Sequence, residues 1–108
     1  MPTKIRKRIA LSGDIDHHRA GNMRQNIDAV LREEQPSLLE LDFSDVTFMD
    51  SSGIGLIMGR YRLQSSWGGR LIVTNVPPHI EKLMFLAGLG GLPIFEETTK
   101  EGMQCETN

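Results

Sequence analysis

A pair of serines lies in the segment Met49-Asp50-Ser51-Ser52-Gly53, where the sequence pattern changes from extended to helical. The apolar run 46–49 precedes the serines, and apolar residues at spacings of three and four follow them. The first amides of a helix have no partner within the helix, and the helix dipole places roughly half a positive charge there. A serine at this point can cap the helix, and a phosphate added to it would be tolerated. The residue types alone leave both roles open.

Three glycines, Gly53, Gly55 and Gly59, fall inside the helix that begins at the serines. Each glycine in a helix costs about 1 kcal/mol relative to alanine. That cost is understandable if another part of the structure must approach the helix closely. The approaching surface is either the sheet of the same domain or a partner protein, and the pattern does not choose between them.

Enzymatic and metal chemistry find little support in the remaining polar residues. An activated serine needs a base held by a third group, and the candidates are His17, His18 and His79. The first two open a helix whose dipole disfavours the imidazolium, and the Gly-x-Ser-x-Gly signature is absent. His17 and His18 with Asp14 and Asp16 lack the spacing of a zinc site. We therefore predict no enzyme activity, no catalytic residue, no metal and no cofactor.

Length and charge narrow the classes of partner. A chain of 108 residues is sufficient for one domain. The formal net charge of −2 gives no basic surface for nucleic acid or an anionic membrane. Cys105 is the only cysteine, and the apolar run 9–11 is too short for a signal peptide. We expect a cytoplasmic protein that binds neither nucleic acid nor membrane.

Hydrophobic periodicity predicts alternating strands and helices. The first part of the chain is expected to form a strand over 4–11, a turn at 12–16 and a helix to Glu34 capped by Asp16. The middle part is expected to form a strand over 38–43, a turn at Ser44-Asp45, an extended run over 46–49 and a second helix ending at Gly68-Gly69. A strand over 71–73, a third helix from Pro77-Pro78 to Gly88 and a last strand over 93–95 are expected to follow. This alternation predicts an α/β fold with a mostly parallel central sheet of about four strands and helices packed against it. Whether the first strand pairs parallel or antiparallel stays open. We expect one domain over 1–97 and a polar, flexible tail over 98–108.

Several segments together resemble the anti-sigma factor antagonists of sporulation, a group within the STAS domain family. The run 48–55, continuing to Gly59-Arg60-Tyr61, is similar to the segment of that family that is phosphorylated. The run 13–18 resembles the family's segment before its first helix. With the glycine turn at 68–69 and the run 93–95, the resemblance covers roughly residues 11–97. The chain differs at both ends, with room for one strand before the first helix where the family usually has two, and with no apolar stripe for a closing helix.

The resemblance implies a STAS fold and a partner-switching function. The unphosphorylated form would bind an anti-sigma factor that is also a serine kinase, and so free the sigma factor. The kinase, which binds ATP and ADP itself, would phosphorylate Ser51 and release the antagonist, and a serine phosphatase would restore it. The candidate partner-binding residues are Asp16, His17, Asp50, Ser51, Ser52, Gly53 and Gly55. The alternative is a STAS domain that senses a ligand or acts as a scaffold without a phosphorylation cycle.

Overall fold

The computed structural model describes residues 5–95, in which strands and helices alternate. The elements are β1 (Arg6–Ile15), α1 (His17–Glu34), β2 (Leu38–Met49), α2 (Ser51–Ser65), β3 (Arg70–Thr74), α3 (Pro78–Leu86) and a 3-10 turn (Leu89–Gly91). The predicted tail 98–108 and Cys105 lie outside the described residues. None of the helices described is long and apolar enough to cross a membrane.

The sheet is parallel throughout. Its strand order is β1-β2-β3, and both neighbouring pairs run parallel. The α/β prediction is confirmed, and the first strand, whose direction the sequence left open, is parallel. Within residues 5–95 the predicted fourth strand shrinks to one bridge: Phe95 pairs with Val73, whose amide donates to the carbonyl of Ile94 at 2.7 Å. In the part of the chain that the structure describes, pairing on the side of β3 away from β2 is therefore limited to this bridge.

Two predicted turns are wrong, because the strands continue through them. The predicted turn at 12–16 is occupied by the end of β1, and the Ser44-Asp45 turn lies inside β2. Pairing shifts twice along β1 and β2, and at each shift β2 advances one residue more than β1. These bulges accommodate the polar residues that look like turns in the sequence, and Gly13 supplies a φ of +74° beside the second one. The strands thus reach further than the turn signals suggest.

A single apolar core lies between the sheet and its helices. The strand predicted over 38–43 is confirmed as part of β2, and its residues Leu39, Leu41 and Phe43 are fully buried. From α1, Ile27 and Leu31 enter the same core. Pro36 follows the left-handed residue that ends α1, as expected for a helix stop.

Helix α2 buries polar residues that periodicity did not predict. Arg60 places its Nε 2.8 Å from Asp28 Oδ1, and both side chains are largely buried between α1 and α2. Burial lowers the pKa of the Arg60 guanidinium, and the Asp28 carboxylate opposes this shift. The ion pair fixes α2 against α1, because removing either partner would leave a buried charge uncompensated.

The other end of α2 is tied to the start of β2 and to β3. The buried Gln64 donates from Nε2 to the carbonyls of Pro36 at 3.1 Å and Arg70 at 2.8 Å. The indole of Trp67 donates to the same Pro36 carbonyl at 3.2 Å. These bonds satisfy backbone oxygens at the starts of β2 and β3, and Trp67 also packs against the core.

Asp42, on the central strand β2, links β1 to the residue that follows β3. Its Oδ1 accepts from the Ser44 amide at 2.9 Å and from Asn75 Nδ2 at 3.1 Å, while Oδ2 contacts Arg8 of β1. Burial raises the pKa of the Asp42 carboxyl, but these hydrogen bonds and the charge of Arg8 outweigh it and leave the pKa below its ordinary value. The folded protein therefore favours the ionised carboxylate.

A lowered pKa in the fold makes Asp42 a source of acid-sensitive stability. Its contribution is complete above the ordinary pKa of 3.8 and is lost as the pH falls through the lower value of the folded state. Asp42→Asn is expected to reduce the free energy of unfolding at pH 7 by about 1–3 kcal/mol and to flatten its fall below pH 4. Urea unfolding at several pH values measures both effects. Asp45→Asn, an exposed neighbour on the same strand, is the control, and equal losses in the two variants would contradict the assignment.

Candidate functional site

Two helices begin side by side at the carboxyl edge of the sheet. Ile15 and Met49 form the last pair of β1 and β2. The next residue of each chain segment, Asp16 and Asp50, caps the helix that follows. Because paired strands lie about 4.8 Å apart, the amino ends of α1 and α2 are neighbours. The parallel topology therefore brings together the two segments that the sequence analysis singled out.

Asp50 fixes the backbone around the serines. Its Oδ1 accepts from the Ser52 amide at 2.8 Å, and its carbonyl accepts from the Gly53 amide at 2.9 Å. Its own amide donates to the carbonyl of Ile15 at 3.2 Å, which ties the start of α2 to the end of β1. The Asp50 carboxylate thus acts as the cap of α2. Ser51 is the first residue of α2, and its side chain is exposed.

Asp16 performs the same function on α1, as predicted. Its Oδ1 accepts from the Arg19 amide at 2.9 Å, and its carbonyl accepts from the Ala20 amide at 2.9 Å. His17, the first residue of α1, is exposed beside it. Two helix amino ends, each capped by a carboxylate, consequently lie at the edge of the sheet where Ser51 is exposed.

Gly53 is needed for the close approach of α2 to the sheet. It is buried, and a Cβ at this position would lie 2.1 Å from Met49 Cγ and 3.3 Å from Ile15 Cγ2. Only hydrogen fits in this space unless the methionine moves. For this glycine, close packing within the domain explains the residue type.

Gly55 and Gly59 face open space instead. A Cβ at either residue would meet no atom within 4 Å. Gly55 is exposed one turn after Ser51, so packing within residues 5–95 does not require its lack of a side chain. Gly53 therefore allows close packing against the core. Gly55 and Gly59 lower the helix propensity of α2 without any packing contact in the described residues that requires a glycine.

The site also contains residues that the sequence analysis did not include. Phe48 precedes Met49 and is 49% exposed, an unusual position for a large aromatic side chain on a strand. Beside it, Thr47 Oγ1 donates to Asp14 Oδ1 at 2.9 Å, and the Thr47 carbonyl lies 3.1 Å from His79 Nε2 at the start of α3. Arg19 Nη1 donates to the Asp14 carbonyl at 2.9 Å. Phe48 belongs to the segment 48–55 that carries the resemblance, and the alternation that buries Leu39 and Phe43 also places it on the outer face of β2.

Metal chemistry has no visible basis in this part of the chain. Among residues 5–95, no three His, Cys, Asp or Glu side chains come together as a ligand set. The carboxylates of Asp16 and Asp50 are directed to backbone amides instead. The site therefore presents the exposed Ser51 together with the half-exposed aromatic ring of Phe48.

Comparison with known proteins identifies the fold. A family model described as "Mlab, STAS domain" matches residues 3–96. The chain belongs to the STAS domain family. A relative from Paenibacillus polymyxa, an anti-sigma F factor antagonist, is 36% identical over 89 residues, which cover 82% of this chain and 76% of the relative. The predicted family and the STAS fold are thereby confirmed.

Solved structures of the antagonist SpoIIAA resemble this STAS domain closely. The unphosphorylated form matches with a TM-score of 0.75 and 29% identity, over 100% of this chain and 94% of the other. The phosphorylated form matches with a TM-score of 0.67 and 30% identity, over 97% and 95%. A protein that is similar to this STAS domain therefore exists folded in both states.

The two kinds of glycine predict opposite responses to a methyl group. Gly53→Ala is expected to lower the free energy of unfolding by about 1–3 kcal/mol, because its Cβ would displace Met49. Gly55→Ala, on the same helix in open space, is expected to raise it by up to about 1 kcal/mol. Chemical denaturation of the two variants beside the parent measures the difference. A Gly53→Ala protein as stable as Gly55→Ala would refute the close approach of α2 to the sheet.

Proposed function

We propose that this STAS domain is an anti-sigma factor antagonist controlled by phosphorylation of Ser51. In its unphosphorylated form it binds an anti-sigma factor that is also a serine kinase, and so frees the sigma factor. The observation that carries the proposal is the exposed Ser51 at the start of α2, on a backbone held by Asp50. The similarity to antagonists of known name supports the same conclusion.

The geometry suggests how a phosphate would act. The amide of Ser52 is already bonded to the Asp50 carboxylate, so a phosphate on Ser51 projects from the surface without taking over the cap. The phosphate adds about −1.5 to −2 charges at neutral pH. Asp50 directly precedes Ser51, and Asp16 caps the helix that begins after the neighbouring strand. A partner that closes over this place must desolvate crowded negative charge, which costs a few kcal/mol of binding free energy.

The fold itself should survive the modification. Two helix amino ends lie at the site, and their dipoles favour negative charge. The dianion is therefore stabilised in the free protein and destabilised in the complex. Phosphorylation thus acts on the interface, and dephosphorylation by a serine phosphatase restores binding.

We also propose roles for the nucleotide and for the residues around Ser51. The kinase binds the nucleotide. This chain is the substrate of the kinase and has no enzyme activity of its own. Asp16, His17, Ser52 and Gly55 form the partner surface around Ser51, while Gly53 acts by letting α2 lie close to the sheet. The exchange takes place in the cytoplasm.

Ser51 is expected to accept a single phosphoryl group from the cognate anti-sigma kinase and ATP. Intact-mass analysis should show the gain in the parent chain and in Ser52→Ala, and no gain in Ser51→Ala. Ser51→Ala should still bind the kinase and resist release by ATP, since the hydroxyl is needed for phosphorylation and not for docking.

A second substitution separates interface from folding. Ser51→Asp should unfold at the same denaturant concentration as the parent and bind the kinase weakly. If it loses its fold, the interface mechanism is wrong. If the parent gains no phosphate but binds the kinase stably, the protein is a scaffold.

Phe48 is expected to be a principal contact of the kinase. A half-exposed aromatic residue three positions before Ser51 has the size and location of a binding hot spot. Phe48→Ala should weaken binding by about 2 kcal/mol or more, near 30-fold, with little change in the denaturation midpoint. Calorimetric titration gives the affinity. Leu86→Ala removes an apolar group that is 77% exposed at the end of α3 and is the matched control; equal effects of the two would place the interface elsewhere.

A further inference from the structure

The strand β1 lies at an edge of the sheet. Among residues 5–95, one side of β1 pairs with β2 and no strand pairs with the other. At the opposite edge, β3 is at least bridged by Phe95. An open strand of 10 residues presents unpaired backbone groups, which are a template for another strand.

The direction of the backbone groups along β1 follows from its two ends. The carbonyl of Ile5 accepts from the Ser37 amide at 3.0 Å, and that of Ile15 accepts from the Asp50 amide at 3.2 Å. Odd-numbered residues therefore turn their backbone groups towards β2. Since successive residues of a strand alternate, the even-numbered residues from 6 to 14 turn theirs to the open edge. At the end of this edge the Asp14 carbonyl already accepts from Arg19 Nη1 at 2.9 Å.

The sequence of β1 complements itself when two copies run antiparallel about Ala10. In this register Arg6 of one copy lies opposite Asp14 of the other, and the pair occurs twice. Arg8 lies opposite Ser12, and Ala10 opposite itself. All five residues are exposed on the same face of the strand. Opposite charges at facing positions stabilise a pair of strands, and like charges destabilise it.

The other face of β1 fits the same register. Ile9 of one copy lies opposite Leu11 of the other, and both residues belong to the apolar side that packs on the core. The even-numbered residues from 6 to 12, whose backbone groups face outward, are the ones that would exchange hydrogen bonds, while Asp14 would contribute its side chain. Backbone direction, charge and apolar contact thus agree on one alignment.

The basic residues of β1 select this alignment. Lysine and arginine on an edge ordinarily discourage strand pairing. A register centred on Arg8 would place that residue against its own copy. The register centred on Ala10 instead gives Arg6, whose Nη2 lies 3.6 Å from Glu40 Oε1, a second carboxylate. Asp14 accepts from Thr47 through Oδ1, which leaves its second oxygen for the arginine.

We propose that the chain forms a two-fold dimer by antiparallel pairing of β1 about Ala10, which joins two three-stranded sheets into one. The occupant of the open edge is a second copy of this chain. The pairing uses the side of β1 that faces away from β2, and its test requires no kinase. It therefore stands or falls independently of the function proposed for Ser51.

Disulfide cross-linking tests the register. In a Cys105→Ser background, Ala10→Cys brings two cysteines to a Cα separation of about 5.5 Å, within the range of a disulfide. Mild oxidation should give covalent dimers. Arg8→Cys alone, the matched control, should not cross-link, because its two copies lie about 14 Å apart. Arg8→Cys mixed with Ser12→Cys should cross-link.

Sedimentation equilibrium of the full chain tests the charges. Arg6→Glu should weaken the dimer about 10-fold or more, and Arg6→Glu with Asp14→Lys should restore it. A chain that stays monomeric up to about 1 mM overturns the proposal. So does a dimer that Arg6→Glu leaves unchanged, equal cross-linking of Arg8→Cys and Ala10→Cys, or cross-linking of Ala10→Cys only to another protein.

Discussion

The close approach of α2 to the ends of β1 and β2 at Gly53 is the constraint on which the rest of the site depends. With no side chain there, the first turn of α2 lies against Met49 and Ile15, and the Asp50 amide reaches the Ile15 carbonyl. This contact sets where α2 begins. The position of Ser51, one residue after the cap, follows from it, as does the neighbourhood of the α1 amino end.

Two opposing electrostatic influences meet at this end of the sheet. The helix dipoles favour an anion, while Asp16 and Asp50 already occupy the capping positions. The neutral Ser51 hydroxyl adds no charge, so in the free protein the carboxylates of Asp16 and Asp50 offset the positive ends of the helix dipoles. An added phosphate changes the balance chiefly when solvent is removed, because charge repulsion strengthens as the local dielectric constant falls. A surface of this kind can distinguish two states of one residue without a change of fold, in keeping with the two solved forms of SpoIIAA.

Much of the fold could be predicted from local pattern. The stripe of α1, its Asp16 cap and the buried strand at Leu39–Phe43 depend on neighbouring residues, so they were visible in the sequence. The turns expected at 12–16 and 44–45 failed because pairing between distant strands overrode local turn signals. Arg60 is buried for a similar reason, since its partner Asp28 lies on another helix. The outer position of Phe48, in contrast, follows from the local alternation along β2, on which Leu39 and Phe43 face the core.

The glycines of α2 show how stability and binding are divided in this domain. All three glycines lower the helix propensity of α2. At Gly53 this loss is accompanied by close packing against the sheet, whereas a Cβ at Gly55 or Gly59 would meet no atom within 4 Å. Ser51, Gly55 and the exposed ring of Phe48 lie within one short segment. An exposed aromatic residue and an uncovered helix backbone both lower the stability of an isolated domain. The exposed aromatic ring and the uncovered helix backbone both lie near Ser51 in the sequence. If a partner covers them, the free energy of binding offsets the loss of stability in the free domain.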